Sequence, residues 1–194
     1  MLRLGLERDR YVLCLGLVET RKNLTGAIAT WETYRRAGGI ARLAIAGKDG
    51  RGAAEVRAKA AASPWSEEIL FLGHVPQENL AGLIGGSLAG FYLSLYEGFG
   101  LPVLESFACG STVLASSRSS VPEVWGAGSD RLPALIFQPD DADSAAASLL
   151  ALQREPFRLG AYREQALRRA GEFDWKRCAR LTLDAWRSAS EPRS

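Results

Sequence analysis

The stretch "LSLYEGFGLPVLESFACGSTVLASS", residues 93–117, runs from the end of one apolar segment through a glycine-rich turn into another. Two carboxylates, Glu97 and Glu105, have seven residues between them, beginning Gly98, Phe99, Gly100, Leu101 and Pro102. Pro suits the first turn of a helix and Gly the position just past its end, so a helix is predicted over 102–109 with Gly110 as its stop. The apolar runs on either side, 88–95 and 111–117, then read as strands. A strand, a turn, a short helix and a second strand within so few residues form one α/β unit.

The same alternation continues in both directions. Short apolar runs at 11–16, 41–47, 68–75 and 134–139 read as strands. Segments 23–36, 52–62 and 78–84 carry apolar residues at helical spacing. Past the last strand come only helices, over 143–153, 157–170 and 175–188. Repeated strand–helix units of this length specify a parallel sheet buried on both faces. The expected fold is α/β, a Rossmann-like doubly wound parallel sheet of about six strands with helices on both faces and further helices at the C-terminal end. The domain is expected over 11–194, with 1–10 as a linker or N-terminal extension. That N-terminal segment has no long apolar core and does not read as a signal peptide.

The composition bounds the function. At 194 residues, 47% hydrophobic and 24% charged, the chain is one globular domain by length. A net charge of +2 is too small to argue for a nucleic-acid partner. Residues 154–194 hold ten basic and six acidic side chains. That reads first as a solvated helix face, and second as a contact with an anionic surface such as a membrane. No apolar run approaches the roughly 20 residues needed to span a bilayer. Cys14, Cys109 and Cys178 lie in apolar surroundings without a close pair, and are expected as buried, reduced thiols of a cytoplasmic protein.

In a doubly wound sheet, ligands bind at the carboxyl ends of the strands. Three loops fall there: "GLVETRKN" from Gly16, "GKDGRG" from Gly47 and "YEGFGLP" from Tyr96. None is a dinucleotide GxGxxG fingerprint or a Walker A loop. Gly98 and Gly100 let backbone approach a ligand, and the free amides at the start of the following helix form an anion site. A diphosphate suits that site; a carboxylate does not bind phosphate well. Glu97 and Glu105 therefore suit hydroxyls on either side of the diphosphate, since a carboxylate accepts two charge-assisted bonds from a diol. Hydroxyls flanking a diphosphate describe a nucleotide sugar, and Arg21 and Lys22 supply the positive charge. Either acid alone is better read as a turn or surface residue; the spacing, the glycines and the basic first loop together favour the ligand.

These residues resemble a known family. Glu97-x7-Glu105 within its surrounding sequence looks like the signature of the retaining glycosyltransferases of family 4, which have the GT-B architecture of two facing Rossmann-like domains. "GLVETRKN", "IAGKDG", "FLGHVPQENLAGLI", "SSVPEV" followed by Gly126, and "FDWKRCA" fit the same pattern, from about Tyr11 to Trp186. The forms around Asn23 and Val121 look closest to bacterial polysaccharide and O-antigen enzymes, often mannosyltransferases. The resemblance implies that Arg21 and Lys22 bind the diphosphate and stabilise it as leaving group. It implies that Glu97 is catalytic with them, contacting the donor sugar. Gly16, Gly98, Phe99, Gly100 and Leu101 would complete the donor site, with Glu105 on the ribose and Val75 near the base. It implies no cofactor and no metal: the donor is a GDP- or UDP-linked sugar, and the acceptor a saccharide or lipid-linked molecule at the inner face of the membrane.

The sequence departs from the family at Leu17, where a basic or small polar residue is usual, and at Leu93 and Thr112, where Pro is usual. The family also has an N-terminal acceptor domain, expected here in cis or as a separate chain, and without it the chain is expected to transfer poorly. Alternatives are a non-catalytic nucleotide-sugar-binding subunit or pseudoenzyme, and a GT-B-type epimerase or phosphorylase. Asp141-Ala142-Asp143 has a metal-binding DxD pattern but follows a strand and opens a helix, so it reads as an N-cap. His74 reads as a loop wall. Trp175, Cys178, Ala179, Thr182, Ala185 and Trp186 form a helical stripe that the family packs toward its other domain, so partial exposure is expected.

Overall fold

A computed structural model of the protein describes residues 5–126 and 135–190. Six parallel strands form one sheet: β1 (Tyr11–Leu15), β2 (Arg42–Ala46), β3 (Ile69–Gly73), β4 (Ala89–Tyr92), β5 (Val113–Ser116) and β6 (Ile136–Phe137). Their order across the sheet is β3-β2-β1-β4-β5-β6. The chain runs outward from β1 on one side, then returns to β4 on the other. The direction of winding therefore reverses between β1 and β4, and the loops leaving those two strands lie side by side.

Among the described residues eight α-helices accompany the strands: α1 (Leu24–Arg36), α2 (Ala53–Ala61), α3 (Gln77–Gly85), α4 (Leu101–Ala108), α5 (Val121–Trp125), α6 (Ala142–Arg154), α7 (Pro156–Ala170) and α8 (Trp175–Ser190). Residues alternating along β1 split between the two faces. Val12 and Cys14 join the large core with Ile28, Trp31 and Val56, whereas Tyr11 and Leu13 join Leu83 and Ile84 of α3. Burial on both faces explains why the strands read as continuous apolar runs rather than alternating ones. The Rossmann-like fold and its six-stranded sheet are those expected.

Several local expectations need correction. α4 begins at Leu101, one residue earlier than expected, so Pro102 is its second residue and Glu105 lies beyond its first turn. α5 was not anticipated. β4 stops at Tyr92, short of the expected Leu95. The expected strand over 134–139 is only two residues long, and its first expected position, 134, lies outside the described residues. The cysteines differ from one another: Cys14 is buried, Cys109 partly buried and Cys178 exposed. Burial pushes the Cys14 thiol up to about 12, so it stays protonated.

The expected linker 1–10 lies outside the described residues at 1–4. Beyond that, Leu6 is buried in the smaller core and Asp9 is held by Arg163 of α7. α8 is more exposed than its stripe suggested. None of its residues is buried, and Trp175 and Trp186 are 79% and 68% exposed. Among the described residues no helix is long and apolar enough to cross a membrane.

Candidate functional site

The site forms where the winding reverses. The loop leaving β1 turns through a short 3-10 segment, Thr20–Lys22, before α1. Its final residue, Asn23, has φ 51°, a left-handed conformation that Asn tolerates better than other side chains. Asn23 donates from its amide to the carbonyls of Leu93 and Pro139, both at 3.1 Å. One side chain thus fastens the loops that follow β1, β4 and β6. The Leu95 N–H also bonds to the Arg21 carbonyl at 2.9 Å. On the other side, Val18 N–H bonds to Lys48 O at 3.0 Å and Gly16 N–H to Ala46 O at 2.9 Å, joining the first loop to the one after β2.

This scaffold brings Arg21, Lys22 and Glu97 into contact. Lys22 Nζ lies 2.7 Å from Glu97 Oε1 and Arg21 Nη1 lies 2.9 Å from Glu97 Oε2. Arg21 Nη1 also reaches the Tyr96 carbonyl at 3.1 Å. Two further groups complete the cluster, neither singled out in the sequence. Ser94 Oγ donates to Glu97 Oε1 at 2.7 Å, and Glu19 Oε1 takes Arg21 Nη2 at 2.6 Å. Two cations and two carboxylates sum to no formal charge. Burial raises the Glu97 carboxyl, but hydrogen bonds from Lys22, Ser94 and Arg21 and the charge of Lys22 outweigh it and hold the group below its ordinary value. Burial likewise lowers Arg21, and its bonds to Glu97 and Glu19 outweigh that loss. Beneath Lys22 a small cavity is lined by Cys14, Gly16, Tyr92 and Ser94.

The Gly98–Phe99–Gly100 turn follows directly. The Glu97 N–H bonds to Ser119 Oγ at 3.3 Å, so the loop after β5 steadies its start. Ser119 holds φ 60°, a position no sequence pattern marked. Gly100 caps α4 with φ 91°, which accounts for glycine there. Gly98 is different: its φ is outside the left-handed region, and a methyl group placed on it would meet no atom within 4 Å. Nothing in the described fold requires glycine at 98. Within the first turn of α4, Pro102 has no N–H and the Val103 and Leu104 amides bond to the Gly100 carbonyl at 2.9 and 3.3 Å, so the donors a helix start would offer an anion come from Leu101 and the turn before it.

The remaining candidates are placed less directly. Glu105 is exposed on α4. Phe99 and Leu101 are about half exposed beside the turn. The side chain of Val75 packs into the smaller core, leaving only its backbone to face a ligand, whereas His74 is exposed. Leu17 is exposed, while Leu93 and Thr112 are buried. Asp141 caps α6, accepting from the Ser144 N–H at 3.1 Å. Among the described residues no group of three or more His, Cys, Asp or Glu side chains gathers as a metal site.

The profile of a family described as glycosyl transferases group 1 matches residues 3–170. O-antigen chain mannosyltransferase B of Escherichia coli is 31% identical over 91% of the chain and 45% of its own length. The MMP alpha-(1->4)-mannosyltransferase of Mycolicibacterium hassiacum is 35% identical over 58% of the chain and 27% of its own length. The chain spans under half the length of these curated relatives. Among solved structures, sucrose-phosphate synthase of Thermosynechococcus elongatus superposes with a TM-score of 0.79 at 22% identity, over 97% of this chain and 47% of that one. Anabaena HepE in complex with UDP superposes with a TM-score of 0.79 at 16% identity, over 96% and 51%. At such identities the likeness is one of fold: a Rossmann-like unit that covers about half of a GT-B glycosyltransferase.

Proposed function

The chain belongs to the group 1 glycosyl transferases, and from that premise we propose that it is the donor-binding half of a retaining, metal-independent glycosyltransferase. In this reading it moves a hexose from a GDP- or UDP-linked donor to a saccharide or lipid-linked acceptor. Mannose is the first sugar to test, because relatives named as mannosyltransferases include one 31% identical over 91% of the chain. A second domain, in cis or as a partner chain, completes the cleft and holds the acceptor; the exposed stripe of α8 is the surface offered to it.

One observation carries the reading: Arg21, Lys22 and Glu97 meet at the β1/β4 reversal, beside the open start of α4. In the proposed mechanism the diphosphate lies on the amides at 98–101. Arg21 and Lys22 turn from Glu97 toward it and stabilise the charge that develops as the sugar departs, an electrostatic effect. Glu97 accepts from sugar hydroxyls, and Glu105 from the ribose diol. The acceptor attacks from the face the leaving group vacates, as the family resemblance implies.

Calorimetric titration with GDP, UDP, GDP-mannose and UDP-glucose, with and without EDTA, tests this. Binding of at least one nucleoside diphosphate, unaffected by the chelator, supports the reading. No binding of any of them, or binding that EDTA abolishes and manganese restores, overturns it or its metal-free form respectively.

A further inference from the structure

Phe99 has a neighbour that the sequence does not announce. Its ring meets that of Phe173 edge to face, with centroids 6.1 Å apart and planes at 82°. Such pairs hold by the opposed charge of ring edge and ring face. Phe173 lies in the short connection between α7 and α8, more than seventy residues along the chain. It is itself fixed from behind: the Arg169 guanidinium sits 4.7 Å from its centroid, within cation–π range.

Arg169 is in turn anchored. Its Nε donates to the Val124 carbonyl at 2.8 Å and its Nη2 to the Glu123 carbonyl at 2.5 Å, both in the last turn of α5. A cation suits that helix end. Glu172 holds the remaining Nη1. The same α5 supports the turn from below, since a Cβ on Gly100 would lie 3.7 Å from Val121 and 3.9 Å from Val124. The turn at 98–100 thus rests on α5 and is braced from the side by a ring that α5 also positions.

The geometry points to Phe173 as a positioning residue for the donor loop: the bracket Arg169–Phe173–Phe99 fixes the turn whose amides receive the diphosphate. This rests on reading that turn as the donor site.

Hydrogen exchange on the full 194-residue chain tests the bracket without a ligand. The reporters are the amides of Glu97, bonded to Ser119, and of Val103 and Leu104, bonded to Gly100. Phe173→Ala is expected to speed their exchange by about two- to tenfold, the range of one aromatic pair. Phe99→Ala should do the same, the double variant should add little to either, and Phe173→Tyr should restore the slow rate. The β1 amides should not change. Phe99 is about half exposed, so Phe99→Ala keeps the test available if Phe173→Ala misfolds. Titration with GDP and UDP should show affinity falling with the same variants and recovering with Phe173→Tyr. Unchanged exchange at the three reporters, or equal acceleration at β1, overturns the inference. Failure of the unaltered chain to bind either nucleotide strikes instead at the reading of the site, and the exchange rates still decide the bracket.

Discussion

Replacing Glu97 by Gln keeps the shape of the side chain and removes the charge at the centre of the cluster. The carboxylate accepts from Lys22, Ser94 and Arg21 at 2.7, 2.7 and 2.9 Å. Bonds to a buried charged group contribute about 1.5–3 kcal/mol each. The Lys22 side chain is 11% exposed, so its term counts nearly in full. Arg21 is 43% exposed, and its term falls to about 0.5 kcal/mol by solvent screening. Gln retains one acceptor oxygen, so the net loss is about 2–3 kcal/mol, or about 4–12 °C in Tm for a domain of this length. The loss depends on pH in a fixed direction. The carboxyl of Glu97 is held below its ordinary value, so its stabilisation is complete above about pH 4.3 and disappears as pH falls through the folded value. Melting curves of wild type and Glu97→Gln should therefore differ at neutral pH and converge in acid. Calorimetry should show affinity for a bare nucleoside diphosphate kept within about threefold and affinity for the nucleotide sugar down by about tenfold or more, a difference of about 1.4 kcal/mol. Equal melting at neutral pH, or a gap that persists in acid, would refute the electrostatic account; equal loss of both ligands would refute the sugar contact.

Glu105→Ala should weaken a nucleoside diphosphate by about 1–3 kcal/mol, the scale of bonds to a charged group, while leaving Tm nearly unchanged because the side chain is exposed; paired calorimetry and melting measure both. Gly98→Ala should leave the fold intact or stabilise it by about 0.4–1 kcal/mol, since the new methyl meets nothing, yet reduce diphosphate affinity about tenfold or more. Undiminished binding by that variant would show that no ligand approaches Gly98. Glu19→Gln frees one face of Arg21 and removes a like charge from the phosphate's path, so diphosphate binding should tighten by about two- to fivefold, an exposed ion-pair effect. Weaker binding would mean that Glu19 orients Arg21 rather than competing for it.

What could be read from the sequence depended on how far apart the interacting residues stand. All six strands were legible, because a parallel sheet buried on both faces writes itself as short apolar runs. Helices of two turns or more were legible from their spacing. α5 was not: at five residues, with Pro122 inside it, it shows no period. The residues gathered at the site were legible by chemistry and loop position. Their partners were not, because Ser94 and Ser119 are ordinary loop serines until the fold sets them against Glu97. The left-handed φ of Asn23 and Ser119 leaves no unambiguous mark in composition. The Phe99–Phe173 contact joins distant segments and has no local signal at all. Cys178 was misplaced for a related reason: its apolar neighbours in the sequence do not say which way their stripe on α8 faces, and in the fold that helix has no buried residue.

The most direct test of the account is a crystal structure of the chain with GDP or UDP bound. The account predicts the diphosphate at the β1/β4 reversal, on the amides at 98–101, with Arg21 and Lys22 turned from Glu97 or shared with it, and the ribose against Glu105. A diphosphate bound elsewhere on the sheet edge, with the Arg21–Glu97–Lys22 cluster unchanged, would contradict it.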